Sequence, residues 1–158
     1  MVFDDKDYFF MNEAIKTAKK ALKIGDIPIG SILVKDGNII GRGYNKKFLT
    51  KNPLDHAEII AMKKGSIKIG DWRLNGCTLY STMEPCVMCA GAILHYRVSK
   101  VIFGCLEPKF GGVVSNDRIF DIKTLNHRVE YCYGIYEEEI KNMIKEFFQK
   151  IRKKSLFD

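Results

Sequence analysis

Between Cys77 and Gly104 the chain runs "CTLYST", then "PCVMCAGAILH", then "SKVIFG", two strand-like runs flanking a helix within about 28 residues. This spacing constrains the fold more than any other feature. A strand that reaches its neighbour through a helix pairs with it in parallel. The crossover is right-handed, because a right-twisted strand feeding a right-handed helix packs back onto the sheet only that way.

The rest of the chain supplies partners for this βαβ unit. Met11, Ala14, Ile15, Ala18 and Leu22 recur at helical spacing from about residue 6, and Gly25 offers a stop. "IGSILV" and "IIGRGYN" flank Asp36-Gly37, a pair suited to a type I′ hairpin because both central positions need positive φ. A loop with Pro53 follows, and a helix opened by Asp55 is expected to run to about Lys64. Residues 105–127 read as a long loop with short turns, and "RVEYCYG" (128–134) as a fifth strand. A last helix spans about Glu137 to Lys154, with Ile140, Met143, Ile144, Phe147, Phe148 and Ile151 as its apolar stripe. Its three leading glutamates and trailing Lys/Arg cluster both suit the helix dipole. The expected fold is α/β, a three-layer α/β/α arrangement around a mixed five-stranded sheet, in one domain over residues 1–158.

Composition removes several classes of function. Apolar runs are only a few residues long, too short to cross a membrane. The start, "MVFDDKDY", is acidic and lacks the basic and apolar regions of a secretory signal, so a cytoplasmic location is expected. There, closely spaced cysteines are more often metal ligands or catalytic than disulfide-bonded. Cys77, Cys105 and Cys132 fall in or beside apolar runs and read as small core residues. A net charge of +7 suits a polyanionic partner such as RNA.

Cys86 and Cys89 stand in P-C-x-x-C, on one face of a helix of about residues 86–96 whose first turn is expected to hold Pro85 and carries free N–H groups and the positive end of the dipole. Two thiolates there make half of a tetrahedral zinc site. A dithiol redox pair lacks its usual first strand–helix pattern here. A four-cysteine structural site lacks two more cysteines at matching spacing. The remaining soft ligands are His56, His95 and His127, and of these His95, about two turns beyond Cys89 on the same helix, reads as structural. Glu58 is open to two readings, as the carboxylate of a capping box with Asp55 or as a proton carrier. His56 and Glu58 converge only if His56 lies at or before the first helical turn, since two residues of regular helix turn them about 200° apart. A set of His56, Cys86 and Cys89 leaves a fourth position for water, whose pKa zinc lowers to roughly 7. Glu58, not itself a ligand, then serves as the proton shuttle.

H-x-E followed by P-C-x-x-C is the established signature of the zinc-dependent nucleoside and base deaminases. The chain resembles that cytidine/deoxycytidylate deaminase superfamily, and within it the bacterial tRNA-specific adenosine deaminases of the TadA type. "IPIGSILV", "DHAEIIA", "TMEPCVMCAGAI", "VIFG", "EPKFGG", "NHRVE" and "FFQKIRKK" carry the resemblance over nearly the whole chain. It implies a homodimer that hydrolyses adenosine to inosine at the wobble position of a tRNA anticodon, with one Zn2+ per chain. Zinc-bound hydroxide attacks C6, and Glu58 passes the proton to the ring nitrogen and the leaving ammonia. By the same resemblance, Asn45 contacts the target base and Ile27, Met83 and Glu84 surround it. Glu107 and Lys109 touch flanking nucleotides, and Phe148 and Arg152 meet the RNA. The chain departs from the family pattern at Asp55 (usually Ala), Glu107 (usually Asp) and Val113-Val114-Ser115 (usually Gly-Ser). Two other functions remain in view: a deaminase of a free base or nucleoside (guanine, cytosine or cytidine), and a zinc-stabilised RNA-binding module without activity.

Overall fold

The computed structural model describes residues 1–157, so Asp158, the last residue of the expected domain, lies outside the described residues. In chain order the elements are α1 (Asp5–Lys23), β1 (Gly30–Lys35), β2 (Asn38–Tyr44), α2 (Lys47–Thr50) and α3 (Ala57–Ile69). Then come β3 (Thr78–Met83), α4 (Val87–His95), β4 (Lys100–Cys105), β5 (Glu130–Tyr133) and α5 (Glu137–Phe157). The five strands form one sheet in the order β2-β1-β3-β4-β5. β1 is antiparallel to β2 and β3, whereas β3, β4 and β5 run parallel, so the sheet is mixed.

Period-two alternation divides the core into two layers. Leu33, Leu79, Val101 and Phe103 point to one face and pack with Ala61 and Met62 of α3 and Ala90 and Ile93 of α4. Ile32, Tyr80 and Ile102 point to the other, against Met11 and Ile15 of α1 and Ile140 and Ile144 of α5. The result is the three-layer α/β/α sandwich that the βαβ unit predicted. Asp36 (φ 49°) and Gly37 (φ 76°) both take the positive φ that their hairpin requires.

Four local expectations are corrected. α3 runs past Lys64 to Ile69, because Gly65 faces the Leu33 side chain and belongs to the packed surface. Its N-cap is His56, not Asp55, and neither His56 nor Asp55 makes a side-chain capping bond, so the capping-box reading of Glu58 fails. Pro85 precedes the N-cap Cys86 and is not in the first turn of α4. On α5 the buried residues are Ile140, Ile144 and Phe147, while Phe148 and Ile151 are 41% and 44% exposed and leave the core stripe. A short α2 also lies inside the Pro53 loop, where no helix was expected.

The position of α3 is set by β2. Gly41 and Gly43 share one face of the strand, and a Cβ on either would overlap a backbone carbonyl oxygen of α3, at Ala61 and Ala57 respectively. Helix and strand therefore touch backbone to backbone. Gly43→Ala should destabilise the fold by about 1–3 kcal/mol through overpacking, read as a lower urea midpoint at unchanged slope. An unchanged midpoint would mean that α3 can ride further from the sheet at no cost.

Candidate active site

The site lies where two helices begin. Strand β3 ends at Met83, and Glu84-Pro85 carry the chain to Cys86, an N-cap in extended conformation (φ −71°, ψ 175°). Cys89 follows one turn into α4 and is fully buried. Across from it, His56 is the extended N-cap of α3 (φ −79°, ψ 154°). That conformation takes His56 out of the helical course, so it and Glu58, two residues apart, serve one site. His56 Nδ1 lies 3.6 Å from Cys86 Sγ and 3.5 Å from Cys89 Sγ. These three are the one His/Cys/Asp/Glu cluster compact enough to hold a metal ion among the described residues, with all donor atoms within 4.8 Å.

Glu58 is only 4% exposed. Its Oε1 accepts the Ser81 hydroxyl at 2.8 Å, and its Oε2 accepts the Cys89 thiol at 3.0 Å. Burial pushes the Glu58 carboxyl above its usual range, partly offset by those two donors. The Cys89 thiol beside it, with help from His56, holds Cys86 down at about 4 despite its burial. Cys89 is pushed up by the same contact, by burial and by Glu58. Cys86 lifts His56 above its normal range. The cluster thus holds negative charge on sulfur at a helix start, which is what a cation-binding site needs.

Above these groups opens a cavity of about 430 Å³. Of the residues singled out from the sequence, Ile27, Asn45, Met83, Glu84, Glu107 and Phe148 line it, together with His56, Glu58 and Cys86. Asn45 Oδ1 accepts the Ala57 N–H at 2.9 Å, fastening β2 to the start of α3 and leaving the amide NH2 as the group for a ligand. Lys109 and Arg152 are exposed and do not line the cavity. Ile29, Lys47 and Phe110 line it and were missed, as was Ser81 beneath Glu58. For Ser81 a signal existed: it stands two residues after Leu79 in β3, and that alternation puts both on the α3/α4 face.

The class follows from this fold with its site: the MafB19-like deaminase family matches residues 3–152. Within it, the curated tRNA-specific adenosine deaminase of Bacillus subtilis is 42% identical over 94% of this chain and 92% of its own length. That of Haemophilus influenzae is 44% identical over 95% and 86%. A solved structure from studies of A-to-I editing by tRNA:A34 deaminases at the wobble position superposes with a TM-score of 0.83. It is 36% identical, over 85% of this chain and 98% of that one. The chain belongs to the tRNA-specific adenosine deaminase family and is a hydrolytic deaminase. A guanine deaminase from Nitrosomonas europaea, TM-score 0.77 at 18% identity, shares the fold alone.

Proposed function

We propose that this chain converts adenosine to inosine at the wobble position of a tRNA anticodon. The observation that carries the reading is a buried Glu58 beside the His56–Cys86–Cys89 cluster, on the floor of a cavity of nucleoside size. The donor set fits zinc. A tetrahedron with Zn–S near 2.3 Å and Zn–N near 2.0–2.1 Å has an S···N edge of about 3.5–3.6 Å. The two distances from His56 Nδ1 are 3.6 and 3.5 Å. A zinc ion held there supplies water of lowered pKa and a Lewis acid at the base.

The chain's own residues supply the rest. Glu58 takes one proton from the attacking water and gives it to the ring nitrogen, then takes the proton of the hydroxyl added at C6 and gives it to the amino group, which leaves as ammonia. Burial suits this cycle, because it raises the pKa of the carboxyl and so favours its proton-holding form relative to an exposed carboxylate. Ser81 fixes the orientation of Glu58 through Oε1, leaving Oε2 toward the cluster. The Asn45 amide orients the base, Ile27 and Met83 pack its faces, and Glu107 borders the neighbouring nucleotides. Phe148, together with Phe110, 71% exposed at the rim, offers stacking surface for splayed loop bases. Lys47 on the wall, with Lys109 and Arg152 outside it, meets phosphate.

Carried with this reading are one deaminase domain over residues 1–158, a homodimer and a cytoplasmic location. The related coarser fact is that no helix among the described residues is long and apolar enough to cross a membrane. The test is incubation with an anticodon stem-loop and, separately, with guanine, cytosine, cytidine and adenosine. Inosine formed in the RNA alone supports the proposal. Ammonia released from a free base or nucleoside, with the RNA untouched, refutes it.

A further inference from the structure

Glu84 lines the cavity, yet its carboxylate, 3% exposed, is committed elsewhere. Oε1 accepts the backbone N–H of Val114 at 2.7 Å, Ser115 at 2.9 Å and Val113 at 3.3 Å. Oε2 accepts the Glu107 N–H at 2.8 Å and the Ser115 hydroxyl at 2.5 Å. A carboxylate offers about four lone-pair sites, and five donors from its own chain use them up. Nothing of it remains for a ligand. Consecutive amides converging on an anion form a nest, here filled by a side chain of the protein itself.

The loop from 106 to 115 is held down at a second point. Gly112 N–H donates to Pro85 O at 2.8 Å, and Gly111 pairs with Cys86. A Cβ at Gly111 would overlap the Glu84 carboxyl, so only glycine lets the loop lie this close. Glu107 and Phe110, both on the cavity wall, are therefore hung from Glu84 and Pro85. The valines at 113 and 114 grip Glu84 through their backbone N–H groups, while the Val113 side chain is buried in the core and Val114 packs against it, a further anchor for the loop.

We propose that Glu84 is a positioning residue that holds the 106–115 loop as the outer wall of the cavity and sets the affinity for RNA without touching it. This rests on the tRNA reading of the site. Two measurements on the full chain test it. Glu84→Gln keeps the volume, but either amide orientation sets an NH2 against N–H donors. Amides 113–115 should exchange with solvent about a hundredfold faster in this variant, with those of β3 and β4 unchanged. KM for the stem-loop should rise about tenfold with kcat within about twofold, the signature of lost binding and intact chemistry. Glu84→Asp, which keeps the charge, should recover part of both, and zinc content should match the wild type. If Glu84→Gln does not fold, Ser115→Ala removes one donor and should move both readouts the same way by less. Unchanged exchange overturns the proposal, as does faster exchange with unchanged KM, or a fall in kcat alone. A wild-type protein silent on the stem-loop sinks the tRNA reading instead, and the exchange comparison still decides whether Glu84 holds the loop.

Discussion

Glu58→Ala should retain its zinc and lose about a thousandfold of its turnover, the middle of the range that a positioned acid–base group contributes. Glu58 is outside the donor cluster, so its removal leaves His56, Cys86 and Cys89 able to bind. What disappears is the carboxyl that lines the cavity and accepts the Cys89 thiol at 3.0 Å. Its neighbours cannot replace it. Ser81 offers a hydroxyl that does not titrate in the working range, and Glu84 has no free oxygen. Glu58→Gln keeps the shape and the contact with Ser81 but cannot accept a proton, so it should fall nearly as far. Single-turnover inosine formation, alongside zinc content by atomic absorption, separates the two functions. Wild-type turnover in either variant would remove Glu58 from the mechanism. Loss of zinc together with turnover would make it a structural support of the cluster instead.

Most of the fold was legible because it rests on short-range signals. The βαβ spacing, the Asp36-Gly37 turn and the alternation in the strands each follow from local backbone geometry, and they agree with one another. The candidate site was legible for a related reason. Three side chains able to hold a metal, at two helix starts, form a pattern that few other sites require. What stayed hidden depends on contacts between distant segments. α3 outran its expected end because Gly65 is a packing residue against Leu33, and nothing local distinguishes a packing glycine from a terminating one. Phe147 and Phe148 are adjacent in an apolar run. One enters the core and the other reaches the cavity rim, and that division is decided by where α5 meets the sheet. Glu84 read as a residue around the base by resemblance alone. Its five partners lie 23 to 31 residues further along, in a loop with no regular structure to announce them.

Cys89→Ala should abolish both zinc retention and activity, the other large effect expected of this site. The residue is fully buried one turn into α4, and without its sulfur only His56 and Cys86 remain. Two donors hold zinc far more weakly than three, and at submicromolar free metal the variant should purify nearly empty. Because zinc binds the folded chain and not the unfolded one, the wild type should melt at a higher temperature when zinc is added to metal-free protein, and the variant should not. Cys132→Ser is the matched control. Cys132 is a half-buried thiol on β5, distant from the cluster in the fold's strand order, and its loss should leave zinc content and the zinc-dependent melting shift unchanged. The comparison discriminates between metal loss and general damage from removing a thiol. If Cys89→Ala kept one zinc per chain and its melting shift, the two helix starts would not be the metal site. The role drawn for Glu58 would then lose its physical basis.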